Sequence, residues 1–203
     1  MSFISLEGID GSGKSTQARM LADHLREKGG EVVLTREPGG SDGAEAIREL
    51  VLTGEPGRWS AETEILLFTA ARRDHLERTI RPALERGATV VTDRFADSTR
   101  VFQGVTRGDL AGLVDRLHGE TIGVEPDRTF VIDVDPAVGL ERSMGRMTGD
   151  ALPESRFERF GPPFQQRARS GFRALAERWP ERVVLIDGAG APDEVFARIR
   201  AAL

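Results

Sequence analysis

Gly8-Ile9-Asp10-Gly11-Ser12-Gly13-Lys14-Ser15-Thr16 is the segment that most limits what this chain can become. It fits the pattern G-x-x-x-x-G-K-[ST] and follows an apolar run, Phe3-Ile4-Ser5-Leu6. Behind it Ala18, Leu21, Ala22 and Leu25 fall at helical spacing. Strand, glycine loop and helix together are the context in which this pattern cradles phosphate. The glycines let successive N–H groups converge on one anion, and the helix N-terminus adds partial positive charge. Lys14 is expected to reach the β- and γ-phosphates of a nucleotide and Ser15 to hold Mg²⁺. Only two lysines occur in the chain, and one of them is Lys14.

Short β-branched runs recur along the 203 residues: Phe3–Leu6, Val32–Leu34, Thr89–Val91, Thr129–Val134 and Val183–Ile186. They are almost continuously apolar, as strands buried on both faces are. Helical patterns separate them near 14–28, 43–53, 61–86, 109–119, 136–147, 157–179 and 192–203. The alternation predicts a three-layer α/β fold of the P-loop NTPase type, with a five-stranded parallel sheet flanked by helices. One domain spanning 1–203 is expected, with ligands beyond the carboxyl ends of the strands.

Composition narrows the partners. The formal charge of −5 offers no general attraction to nucleic acid or anionic lipid. Cysteine is absent, which removes disulfides and thiolate metal sites. No apolar run reaches membrane-span length, and a cytoplasmic location is expected. His24, His75 and His118 lack metal-ligand spacing and read as surface or structural residues.

Several clusters carry chemistry beside the loop. Thr35-Arg36-Glu37-Pro38-Gly39-Gly40 turns sharply after the second strand and offers the Arg36 fork to a phosphate, or is an ordinary exposed turn. Asp93 and Arg94 end the third strand; Asp93 could orient Mg²⁺ and Arg94 a second phosphoryl group, or the two could form a structural ion pair. Phe68 and Arg72 are four apart on one helix, so a ring and a guanidinium could meet a base, although such a phenylalanine is commonly core. A helix begins near Asp97, with Ser98 and Phe102 on one face; Gln103 beside them can donate and accept towards a base edge. The stretch from Gly145 to Pro163 is rich in Gly, Pro and Arg, and reads as a lid over phosphates or as a solvated linker pairing with Glu154 and Glu158. The lid assignment extends it to about 142–163.

Taken in order, these segments resemble the thymidylate kinase family of P-loop nucleoside-monophosphate kinases. The resemblance rests on Phe3 through Gln17, Thr35–Gly40, Leu66-Leu67-Phe68 through Arg72, Asp93-Arg94-Phe95 with Ser98, Phe102-Gln103-Gly104, Asp133-Val134-Asp135-Pro136 and Arg156-Phe157-Glu158. It implies transfer of a phosphoryl group from ATP to dTMP, a homodimer, and a helical lid. By resemblance Asp10 would contact the sugar 3′-hydroxyl and Arg36 and Arg94 would hold the dTMP phosphate. Phe68 would stack on thymine, and Arg72 and Gln103 would read its edge, with Ser98 and Phe102 completing the substrate site. Phe102 stands where the family has a tyrosine that crowds the 2′ position. Some members carry an arginine within the loop, where this chain has Gly11 and Ser12. Charge on the transferring group then calls for Arg142, Arg146 and Arg156 of the lid, beside Lys14 and Arg94. Two rivals lack their signatures. A GTP-binding switch would need Asn-Lys-x-Asp, and a motor ATPase a paired acidic motif where Asp93 is followed by Arg94.

Overall fold

In a computed structural model, residues 2–146, 157 and 160–203 are described. Five strands form one parallel sheet in the order β2-β3-β1-β4-β5: β1 (Phe3–Glu7), β2 (Val32–Arg36), β3 (Thr89–Asp93), β4 (Arg128–Asp133) and β5 (Val183–Asp187). The helices between them are α1 (Lys14–Glu27), α2 (Asp42–Leu52), α3 (Ala61–His75), α4 (Arg81–Glu85), α5 (Ala96–Thr99), α6 (Ala111–Thr121), α7 (Pro136–Arg146), α8 (Pro162–Arg178) and α9 (Pro192–Ala201). All five strands and the sheet type agree with the apolar runs. The helix expected at 157–179 is described only from Pro162 onward.

Burial on both faces follows from strand alternation. Ile4, Leu6 and Val91 join one core with Ala18 and Leu21 of α1 and Val195 and Ile199 of α9. Phe3 and Val90 point the other way, into a second core with Leu76, Ile80, Ala83 and Phe95. The apolar face of Leu76, Ile80 and Leu84 suits a core or an interface equally in sequence; Leu84 packs partly buried against the same core, and Leu76 and Ile80 are fully buried. Each such side chain contributes about 1.5–3 kcal/mol through burial.

The long helical pattern at 61–86 is broken by a π turn at Leu76–Ile80 before α4. A second π segment, Arg100–Val105, continues α5 and carries Phe102 and Gln103. Wide turns of this kind interrupt α-helices mostly at functional positions. The carboxyl ends of β1, β2 and β3 open together onto one cleft.

Candidate active site

The loop after β1 curls through Gly8, Gly11 and Gly13, at φ 137°, 75° and 96°, backbone that only glycine adopts without strain. Gly13 caps α1 in the left-handed conformation. Lys14 is buried, and its Nζ donates to the Ile9 carbonyl at 2.7 Å and to Ser12 Oγ at 3.3 Å. Burial pulls its amine down from 10.5 to about 8, and the Arg94 charge adds to that effect. Ser15 Oγ donates to Asp93 Oδ2, which joins the two residues expected at the metal. Asp93 Oδ1 is buried with no hydrogen-bond partner among the described residues. An unsatisfied carboxylate oxygen beside a serine hydroxyl fits Mg²⁺, which keeps several waters and is held by one or two protein oxygens plus phosphates.

A cleft of about 460 Å³ begins at this loop and runs past Arg36, Phe68, Arg72, Arg94 and Gln103. Arg94 follows β3 with φ 72°, the one non-glycine residue at positive φ among those described. Its guanidinium donates to the Gly8 carbonyl at 3.1 Å and Ser98 Oγ at 2.9 Å, pairs with Asp10, and lies 5.1 Å over the Phe102 ring. Arg94 therefore pairs with Asp10 of the loop, and the ion pair with its neighbour Asp93 is not formed. Arg72 is buried, donating to Glu37 Oε2 at 2.7 Å and Thr99 Oγ1 at 3.0 Å. Gln103 Nε2 donates to buried Glu64 at 3.0 Å. Arg36 is more exposed and pairs with Glu45 at 3.0 Å. Phe68 is half-buried, with its ring 6.0 Å from Phe157. Phe102 is walled in by Phe164 and Phe172, at 5.8 and 5.7 Å.

The family model for thymidylate kinase matches residues 6–199. A thymidylate kinase of Jannaschia sp. is 63% identical over 198 residues, covering 98% of this chain and 93% of its own length. One from Caulobacter vibrioides is 50% identical over 198 residues, covering 97% of this chain and 93% of its own. The chain belongs to the thymidylate kinase family. Its fold agrees with the crystal structure of thymidylate kinase from Ehrlichia chaffeensis, at TM-score 0.81 and 34% identity over 99% of this chain and 97% of that one.

Within the thymidylate kinase frame, Asp10, Gly11, Gly13, Lys14, Ser15 and Thr16 of the loop line one cleft with the expected acceptor residues Arg36, Phe68, Arg72, Arg94, Ser98, Phe102 and Gln103. Gly8 and Ile9 instead border a separate small hollow, and Ser12 is buried beside Lys14. Arg142 is exposed on α7 and is not among the residues lining the cleft. Arg156 and the side chain of Arg146 lie outside the described residues, as does most of the lid assignment at 142–163. At Gly11, one of the two loop positions without an arginine, a side chain is excluded locally. A Cβ built on Gly11 would stand 1.9 Å from the Gly139 carbonyl oxygen of α7, so no side chain fits there.

Several residues of the site went unnoticed in the sequence. Glu37 was quoted only as part of a turn, yet its carboxylate accepts from both Arg72 and His75 Nδ1, the latter at 3.0 Å. Glu64 anchors Gln103, and Arg48 lines the cleft while donating to the Pro38 carbonyl. Glu7 is fully buried and accepts from Phe95 N, Ser98 N and Ser98 Oγ. Burial and nearby Asp97 push its carboxyl up from 4.5 to about 7. An acidic residue in an otherwise apolar strand was the available signal for Glu7.

Proposed function

We propose that this chain transfers the γ-phosphoryl group of ATP to dTMP, giving ADP and dTDP, with Mg²⁺ as cofactor. One observation carries the reading: the Lys14 loop and the Arg36–Phe68–Arg72–Arg94–Gln103 group share a single cleft. Family membership supplies ATP and dTMP as the substrates. Arg94 and Arg36 hold the acceptor phosphate, Phe68 stacks on thymine, and Arg72 and Gln103 read its edge. Arg72 is fixed by Glu37 and Gln103 by Glu64, so both present preset donors and acceptors to the base.

An oxygen of the dTMP phosphate attacks the γ-phosphorus in line. The new P–O bond forms as the bond to the β–γ bridging oxygen breaks, and ADP leaves with that electron pair. The nucleophile is already anionic, so no strong general base is required. Lys14 and the arginines stabilise the transferring charge. Ser15 and Asp93 would hold Mg²⁺, which when bound would supply positive charge to the phosphates of the donor.

A lid at about 142–163 supplies Arg142, Arg146 and Arg156 on closure and excludes water that would hydrolyse ATP. Phe157, which lines the cleft beside Phe68, supports its proximity to the acceptor. A homodimer is supported by two exposed leucines on adjoining helices, Leu50 of α2 and Leu66 of α3. No helix among the described residues is long and apolar enough to cross a membrane. Together with its nucleotide substrates, this supports a cytoplasmic enzyme without nucleic-acid or membrane partners.

The deciding experiment is ADP release measured against a panel of nucleoside monophosphates. Preferential stimulation by dTMP is expected, and no stimulation by dTMP would overturn the assignment. For the lid, Arg146→Ala and Arg156→Ala are expected to lower kcat; wild-type kcat in both sinks that part.

A further inference from the structure

Phe3, Ser5 and Glu7 alternate onto one face of β1. The first packs in the core with Phe95, and Ser5 exchanges a hydroxyl bond with Thr129 at 2.7 Å. Glu7 ends the series beneath α5, fully buried, in a place where an apolar side chain would cost nothing to desolvate. Its Oε1 accepts from Phe95 N at 2.7 Å and Ser98 N at 3.2 Å, and its Oε2 accepts from Ser98 Oγ at 2.6 Å.

Those bonds have a direction. A serine hydroxyl owns one proton, and Ser98 gives it to Glu7. Its lone pairs are left facing Arg94 Nη1 at 2.9 Å, and a guanidinium can only donate. The chain of protons therefore runs one way, from Arg94 to Ser98 to Glu7. Arg94 also needs a firm hold on its backbone, because φ 72° is unfavourable for a residue with a Cβ. Its own N–H is tied to the Leu6 carbonyl at 2.9 Å and the next N–H to Glu7.

We propose that Glu7 is a positioning residue: by fixing the proton of Ser98 it turns the Ser98 oxygen towards Arg94 and aims that guanidinium at the acceptor phosphate. The inference rests on the reading of Arg94 as a holder of the dTMP phosphate. The β- and γ-phosphates of ATP are served by Lys14 and the loop, so loss of the relay falls on the acceptor.

Glu7→Gln is nearly isosteric and separates the two duties. Its carbonyl oxygen keeps both backbone bonds, while its amide nitrogen becomes a donor towards Ser98 Oγ. The serine proton then loses its acceptor, and Ser98 Oγ no longer passes the carboxylate's polarisation on to Arg94. In E7Q at pH 8 the KM for dTMP is expected to rise about tenfold, the loss of one bond to a charged group. The KM for ATP is expected to stay within about twofold, and kcat to fall no further than in R94A, because Arg94 also stabilises the transferring charge. S98A is expected to raise the dTMP KM similarly, and the E7Q/S98A double variant to be no worse than E7Q, because both break one relay.

An unchanged dTMP KM in folded E7Q overturns the proposal, as do equal rises for both substrates or additive losses in the double variant. Should E7Q fail to fold, the R94A/S98A double variant carries the test: a dTMP KM no worse than that of R94A supports the relay, and additive losses overturn it. R94A separates this inference from the reading beneath it. Unchanged dTMP KM in R94A removes Arg94 from the acceptor site; a rise in R94A with none in E7Q removes only the relay.

Discussion

Charged residues of the cleft work in pairs, and the energetics of each follow from how far it is buried. Arg72 and Glu37 are 3% and 4% exposed and 2.7 Å apart. Glu37→Ala would leave the guanidinium buried without its anion, a loss of about 3–5 kcal/mol. Chemical unfolding should show that loss, and Glu37→Gln, which keeps an acceptor for Arg72, should recover part of it. Glu7 makes stability depend on pH in a defined direction. Its carboxyl is raised from 4.5 to about 7, chiefly by burial and then by Asp97, against the opposing pull of Arg94 and the bonds from Ser98 and Phe95. Lys14 is the other charge close enough to interact with it. A raised carboxyl pKa means that the fold prefers the neutral form. The contribution is complete below 4.5 and is lost as pH rises through 7, about 3 kcal/mol over that window. Unfolding free energy measured from pH 4 to 8 should therefore carry a downward component that is missing in Glu7→Gln. An identical profile in the variant would refute it.

Secondary-structure elements meet the loop most closely at α7. Gly139 on that helix and Gly11 of the loop approach backbone to backbone: a Cβ on Gly139 would come within 2.7 Å of the Asp10 carbonyl oxygen. Gly139→Ala should push the loop out of register and raise the KM for ATP, while the far side of the sheet keeps its packing. Steady-state kinetics with ATP varied at saturating dTMP test this; unchanged KM for ATP would show that the loop yields without cost. The elements also explain what could be read in advance. Strands and the phosphate loop were legible because their signals are local: apolar runs, glycines at fixed intervals, helical spacing of Ala18, Leu21 and Leu25. For the acceptor side the family resemblance named Arg36, Phe68, Arg72, Arg94, Ser98, Phe102 and Gln103, and these line one cleft. Partners that fix the site were not, because they lie far apart in sequence: Glu7 reaches Ser98 across 91 positions, Arg72 reaches Glu37 across 35, and Gln103 reaches Glu64 across 39. Nor does periodicity announce a π turn, since Arg100–Val105 carries residues that suit an ordinary helix equally well.

For the molecule as a whole, association and the balance of charge are the open consequences. Leu66 is 56% exposed on α3 and Leu50 is 42% exposed on the neighbouring α2. Light scattering should give twice the 22.2 kDa chain mass for the wild type and a single mass for Leu66→Glu with unchanged circular dichroism. A monomeric wild type would end the dimer assignment. Away from the cleft, Asp97 is 1% exposed and bonded to Arg100 and Arg182, which joins α5 to the segment entering β5 and ties the acceptor wall to the far sheet edge. Inside the cleft Arg94 faces Asp10, Arg36 faces Glu45 and Arg72 faces Glu37. On the proposed reading, a dianionic phosphate entering between Arg94 and Arg36 would compete for cations that already own a carboxylate. Binding would then trade one anion for another, and the net gain would be smaller than the new contacts alone suggest. Such a trade would also run backwards: as the product departed, Asp10 and Glu45 would return to their arginines, and release would be helped by the same carboxylates that entry had to displace.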